Sequence, residues 1–370
     1  MTRQHAALLG SGLATFLLMG AGQAVYGLAL PVYAAEFQMT LGSVGWLISA
    51  HWIGCALAVL AMFLGILDMT PQKALGVMAV GAACIAFAIG WWGTLAGAVV
   101  FGLGYGFATV VLNPRVLKAF GARGTAMLSL LNAVFALGAI AAPLVFVALG
   151  SAPNYAFLSI MVLCALVWLI ATATGPMEPA TAPRPAATSF RPHWPILMFG
   201  AAAIGLEATL IGLGPSALIV AGETDVRAAE LLSGFFVAFL AARGTLVFTS
   251  HLVGSFTLFT AAMATLAACA IGAILVSPGV FFMLMGISAS LFFQSYYVTA
   301  TRKMGDNPRV PALIIGAGLV GGIASPVIVA NLLQGAGDRG FFWIIGGATV
   351  VLSLAALASL RTMNRQARPL

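Results

Sequence analysis

The chain has 370 residues, 62% hydrophobic and only 7% charged, with a mean hydropathy of +1.08 and a formal net charge of +7. An average soluble domain carries about 25% charged residues, so this composition cannot solvate a globular surface, whereas apolar runs of about 20 residues following one another suit a bilayer. Soluble enzymes, nucleic-acid binders and disordered scaffolds are excluded.

In chain order, breaks at Pro, Gly and charge clusters predict twelve spans. The first half gives 8–31, 43–67, 74–92, 94–113, 125–149 and 155–174; the second gives 195–217, 230–250, 252–276, 279–301, 310–333 and 341–361. The predicted fold class is an all-α polytopic membrane protein with two six-helix halves, 1–174 and 195–370, joined by a Pro- and Ala-rich cytoplasmic linker over 175–194. The N-terminal apolar run, Ala6 to Val32, is too long for the core of a secretory signal, and further spans follow it.

With the N-terminus in the cytoplasm, that side collects thirteen of the 16 basic residues, while Arg227 and Arg339 fall opposite and Arg243 lies inside a span. This positive-inside asymmetry predicts cytoplasmic termini in a plasma membrane, the inner membrane of a bacterium. It also explains the net charge as topology, leaving no motive for a nucleic-acid partner.

Cys55, Cys84, Cys164 and Cys269 lie singly in separate spans, without the close pairs of a zinc or redox site, and are expected in the core. The run Gly102-x-Gly104-x-Gly106 lacks the strand that a phosphate loop needs and is expected to pack helices. No metal-ligand spacing, cofactor motif or nucleophile–base pair stands out, so neither enzymatic activity nor a cofactor is expected.

An internal repeat is visible. Pro31 and Pro215 differ by 184 residues, Pro143 and Pro326 by 183, and Gln23 and Glu207 each lie eight residues before their proline. Polar groups inside a bilayer map its wet interior, because each is costly against lipid. They are Gln23, His51, Asn113, Asn132, Glu207, Arg243 and Gln294, in spans 1, 2, 4, 5, 7, 8 and 10. Spans 3, 6, 9 and 12 have none and are expected to be outer supports facing lipid, with Trp168 on that face. At 100° per residue, Gln23, Tyr26 and Tyr33 share an arc of about 80°, as do Tyr105, Thr109 and Asn113; Gln294, Tyr297 and Thr301 share about 60°. Gln23, Tyr26, Tyr105, Gln294 and Tyr297 are expected to converge on a central cavity, the alternative being hydrogen bonds that only fasten the bundle.

Twelve spans as six plus six, a central linker, cytoplasmic termini and this partition of polar spans resemble the major facilitator superfamily over essentially the whole chain. The family's Gly-Asp-Gly-basic signature between spans 2 and 3 is matched in spacing by Asp68 and Lys73, with the first Gly displaced to Gly65 and Pro71 in place of the second. The resemblance implies that Asp68 and Lys73 latch the cytoplasmic side, the alternative being a solvated loop charge. The family's antiporter signature has Gly before the span-5 proline; here Ala142 precedes Pro143, and Leu144 and Val145 follow. The resemblance therefore implies a secondary transporter working by alternating access.

Among single residues, Glu207, about midway through its span, is the leading candidate to carry a coupling proton or touch substrate. Arg243 keeps its charge and needs an anion or water: it snorkels, anchors an anionic substrate, or partners Glu207. His51 is a candidate proton site or a satisfied packing residue beside Trp52. The expected function is transport of a small organic solute, coupled to protons, by a monomer in the lipid bilayer. The alternatives are a drug or metabolite exporter of the same fold and a membrane assembly protein that transports nothing.

Overall fold

The computed structural model describes residues 3–172, 191–249, 252–305, 307 and 309–364. Among them the chain is helical, without strands. In the first half the long helices are α1 (Arg3–Glu36), α2 (Trp46–Phe63), α3 (Pro71–Ala86), α4 (Trp91–Phe120), α5 (Gly124–Ala148) and α6 (Pro153–Thr172). The second half has α7 (Trp194–Val220), α8 (Asp225–Thr249), α9 (Ser255–Leu275), α10 (Pro278–Met304), α11 (Val310–Leu332) and α12 (Gly340–Asn364). Eleven are long and apolar enough to cross a membrane, α2 together with the single turn Leu41–Val44 before it. The twelfth, α3, has 16 residues, about 24 Å at 1.5 Å per residue against a hydrocarbon core of about 30 Å.

Several helix ends differ from the sequence expectation, and proline is the reason. Pro31, Pro114, Pro143, Pro215 and Pro326 lie inside helices, a placement that packed membrane helices tolerate because neighbouring groups satisfy the freed carbonyl. Pro31 therefore does not close α1, and Asn113 does not end α4. Helix α4 continues to Phe120, so Arg115 and Lys118 are helical. At α3 the error has the opposite sign. Pro71 occupies the first helical turn, where its missing N–H is no loss, and the Thr70 hydroxyl caps the helix by accepting from the Lys73 N–H at 3.2 Å.

Helices α1–α6 form one compact unit and α7–α12 another. Within the first, α1 runs along α5 and α2 along α4, while α3 packs on α4 and α6, and α6 on α1. Within the second, α7 runs along α11 and α8 along α10, while α9 packs on α10 and α12, and α12 touches α7. Each unit therefore repeats one pairing scheme. Helices α6 and α12 bear exposed apolar side chains, including Trp168 at 42% on α6 and Val351 and Leu354 on α12, as do most other helices.

Glycine sets the closeness of the paired helices. A Cβ on Gly20 would overlap the Phe135 carbonyl, and one on Gly138 the Leu17 carbonyl, so α1 and α5 meet backbone to backbone. Gly54 and Gly102 do the same for α2 and α4, against the carbonyls of Val99 and His51. In the second unit Gly286 meets the Phe235 carbonyl and Gly321 the Ala201 carbonyl. Helix α4 also presents Gly104 to Met78 of α3 and Gly106 to Cys55 of α2, so the glycine run is a packing surface, as expected.

Helix ends are tied across neighbours by donors on the last carbonyls, where the helix dipole also favours cations. Arg302 Nη2 donates to the Met363 carbonyl at 3.3 Å and Lys303 Nζ to Thr362 at 2.7 Å, which joins α10 to α12. Gln72 Nε2 donates to the Ala171 carbonyl at 2.6 Å, joining α3 to α6, and Arg339 caps α9 at Ile274. Cys55, Cys164 and Cys269 are buried thiols, but Cys84 is exposed on α3, contrary to the core placement expected. Most of the expected linker, residues 173–190, lies outside the described residues. At its end His193 caps α7, with Nδ1 accepting from the Ile196 N–H at 3.4 Å.

The glycine contacts and the His193 cap each make a measurable claim. Gly102→Val should lower the thermal midpoint of the purified protein, because overpacking a tight contact costs about 1–3 kcal/mol, whereas Gly76→Ala, in open space within a helix, should not lower it. Burial, then the nearby Lys303 ammonium, push the His193 imidazole below its ordinary range, against an opposing backbone hydrogen bond. The neutral cap's contribution is therefore complete above about pH 6.5 and is lost as pH falls from there through the lower folded value. His193→Asn, an uncharged cap, should flatten the dependence of thermal midpoint on pH over that window.

Candidate functional site

In the first unit the polar stripes of α1 and α4 meet. Tyr105 Oη donates to Gln23 Oε1 at 3.2 Å. Behind that bond the His51 ring lies 5.2 Å from Tyr26, 5.0 Å from Tyr105 and 5.8 Å from Phe101, centroid to centroid. Close approach of Gly102 to the His51 backbone puts the imidazole against α4, and Trp52 flanks it at 5.4 Å. His51 is 1% exposed and Tyr26 2%. Neither imidazole nitrogen has a hydrogen-bond partner, nor has the Tyr26 hydroxyl. Each unsatisfied buried group costs about 1–3 kcal/mol, so three in one cluster make it a candidate site. Gln23, Trp52 and Tyr105 are half-buried and form its more open side.

The second unit carries the charges. Glu207 is the central residue of α7, thirteen residues from either end, because the span is long enough to place it beyond reach of both interfaces. Arg243 lies on α8, six residues from its C-terminus. No ion pair within 4.0 Å joins the two, yet each lies in the other's electrostatic field. The guanidinium is placed by other contacts: its carbon sits 4.6 Å over the Phe239 ring, and Nη2 donates to the Ser290 carbonyl of α10 at 3.5 Å. Arg243 Nε has no partner. Ser290, Gln294 and Tyr297 share one face of α10, at spacings of four and three, so Arg243 reaches the stripe predicted for that helix. Gln294 and Tyr297 are half-buried on it, and Tyr297 packs on Phe293 at 5.6 Å.

Other expected residues stand apart. Asn132 Nδ2 bonds the carbonyl of Leu128 in its own helix at 2.9 Å. Tyr33 stacks on Phe37, nearly three turns beyond Gln23. Asp68 and Lys73 are both exposed, and Lys73 Nζ donates to the Asp68 backbone carbonyl at 3.1 Å. Their contact is through the backbone because Gly65, with φ of 67°, turns the chain between α2 and α3. That contact uses none of the aspartate charge, and the Asp68 carboxylate stays exposed in the loop. Sequence reasoning misses Trp52 as a site member, and Phe101, Phe239 and Ser290 altogether. Helical spacing carries the signal for two, since Phe101 lies four residues before Tyr105 and Phe239 four before Arg243.

The profile of the Major Facilitator Superfamily matches residues 12–313. The chain belongs to this superfamily. No curated protein matches it by sequence. Among solved structures, this superfamily member is similar to a point mutant of the nucleoside transporter NupG, with a TM-score of 0.74 and 15% identity over 98% of this chain and 100% of that one. A D-xylose-proton symporter gives a TM-score of 0.71 at 13% identity, over 95% and 96%. The transporter FucP in its outward conformation gives 0.64 at 16%, over 98% and 100%. At these identities the likeness is one of fold alone, and it names no solute.

The superfamily fold leaves Glu207 and Arg243 coupled through space. In a double-mutant cycle of Glu207→Gln and Arg243→Met, read by thermal unfolding, the interaction energy should fall in the range of about 0.5–3 kcal/mol found for coupled neighbours. Strict additivity would mean that the two do not sense each other.

Proposed function

We propose that this protein is a secondary active transporter that moves a small organic solute by alternating access of its two six-helix units, driven by a proton carried on Glu207. The observation that carries the reading is the carboxyl at the centre of α7, half-buried, free of any hydrogen bond or ion pair among the described residues, and in the field of Arg243. An intramembrane carboxyl of this kind is functional by default. When protonated, Glu207 exerts no pull, and Arg243 rests on the Ser290 carbonyl and the Phe239 ring. When ionised, it draws the guanidinium toward α7. The proton load therefore sets the position of a cation that bridges α8 and α10, which is a means of linking ion and conformation. Gln294 and Tyr297, on the same face of α10 as Ser290, would feel that movement.

Proton coupling is supported by the D-xylose-proton symporter among the similar structures. The basic-residue asymmetry supports cytoplasmic termini in a plasma membrane, and short connections between helices support a monomer that works without soluble partners. The absence of Gly before Pro143 counts against the exporter reading.

In proteoliposomes with an imposed proton gradient, Glu207→Gln should abolish accumulation while sparing counterflow, because exchange need not change protonation. Arg243→Lys should lose more than charge conservation suggests, since a point charge cannot both stack and fork. Unchanged pH-dependent uptake in Glu207→Gln would remove this residue from coupling.

A further inference from the structure

Among the described residues, α1 and α2 of the first unit bring together buried polar groups without partners, and these are uncharged. The Tyr26 hydroxyl and both nitrogens of His51 lack partners, and the Gln23 amide nitrogen donates to no described residue. Together they offer hydrogen-bond donors and acceptors within one cluster of rings. No ionisable acid or permanent cation lies close along the helices that carry them. Glu36 is ten residues beyond Tyr26, and Arg115 ten beyond Tyr105, about 15 Å at 1.5 Å per residue. A charged solute would enter this cluster without a counterion, at high desolvation cost.

We infer that Gln23, Tyr26, His51, Trp52 and Tyr105 form the solute-recognition site, and that its ligand is an uncharged ring compound bearing several hydroxyl or amide groups, of the sugar or nucleoside type. The inference rests on the transporter reading above and assigns recognition to the first unit, apart from coupling in the second. The Gln23–Tyr105 hydrogen bond is the closed form of the site. Those two residues are half-buried in front, and Tyr26 and His51 are buried behind them. Entry of a solute exchanges that single bond for contacts to the uncovered hydroxyl and imidazole. The half-buried faces of Trp52 and Tyr105, 6.1 Å apart and steeply inclined at 69°, give two walls for the apolar face of a ring.

The test uses the purified full-length protein. Thermal stabilisation and Trp fluorescence are measured with D-xylose, D-glucose, uridine and inosine, and with citrate, benzoate and choline as charged probes. Counterflow of whichever probes bind is then measured in proteoliposomes. At least one neutral ring compound should stabilise the wild type. His51→Phe and Tyr26→Phe, which keep the ring packing, should each weaken its binding about tenfold or more. His51→Gln, which retains a donor and an acceptor, should recover most of it. A variant that fails to fold is recognised by its chromatographic profile, and Tyr105→Phe, which removes only the hydroxyl, then takes its place. Binding restricted to the charged probes, binding by none of the panel, or affinity indifferent to His51→Phe and Tyr26→Phe would overturn the inference. Counterflow of a charged probe would do so while leaving the transporter reading standing; binding without counterflow of any probe would instead sink that reading.

Discussion

Backbone contact through glycine, repeated in both units, is the constraint on which the sites depend. Gly20 and Gly205 lie 185 residues apart, Gly138 and Gly321 183, and Gly102 and Gly286 184, and each meets the partner helix of its own unit so closely that a Cβ would not fit comfortably. Side chains one or two turns from such a contact have little freedom of register. Gly102 against His51 brings the imidazole to α4 one turn from Tyr105. Gly286 against Phe235 aligns α8 with α10, so that Arg243, two turns beyond Phe235, reaches back to Ser290, one turn beyond Gly286. The reach is backwards because helical side chains lean toward the N-terminus.

A chain that buries charge in lipid must hold each charge close to something that answers it. Arg243 is answered three times over, by a carbonyl, a ring face and the field of Glu207, and none of these is a permanent ion pair. A tight pair would be hard to break within a transport cycle, since breaking a buried pair costs several kcal/mol. The looser arrangement keeps both groups available. The first unit poses a different problem, because its unpartnered interior groups Tyr26 and His51 are neutral, and an unmet hydrogen bond on a neutral group costs less than one on a charge.

Much of this is legible in the sequence. Hydropathy locates the helices, the 3.6-residue period places Gln23, Tyr26 and Tyr105 on facing stripes, and proline spacing exposes the repeat. The misreadings of helix ends share one physical origin. Proline reads there as punctuation, which is its role in water, whereas here five prolines sit inside helices. The glycine repeat is present at the same offset as the proline repeat and is the stronger signal, because it specifies which helices touch. What no periodicity can reveal is tertiary: that His51 joins the α1 and α4 stripes, that Asn132 turns back on its own helix, and that Lys73 meets the backbone of Asp68 rather than its charge.

Gln23 and Glu207 show how one slot in a repeated unit can hold two chemistries. Both lie eight residues before a helix proline, on the first helix of their unit, and they are nearly the same shape. In the first unit the amide oxygen accepts from Tyr105, which fixes the side chain and leaves its nitrogen to offer donors. At the position 184 residues beyond Tyr105 the second unit has Ala289, so no phenol is available to hold the carboxyl. Removing that one hydroxyl changes a held side chain into an unheld one. A held amide presents a fixed donor pattern; an unheld carboxyl in the field of Arg243 has, among the described residues, no side chain of its own unit fixing it.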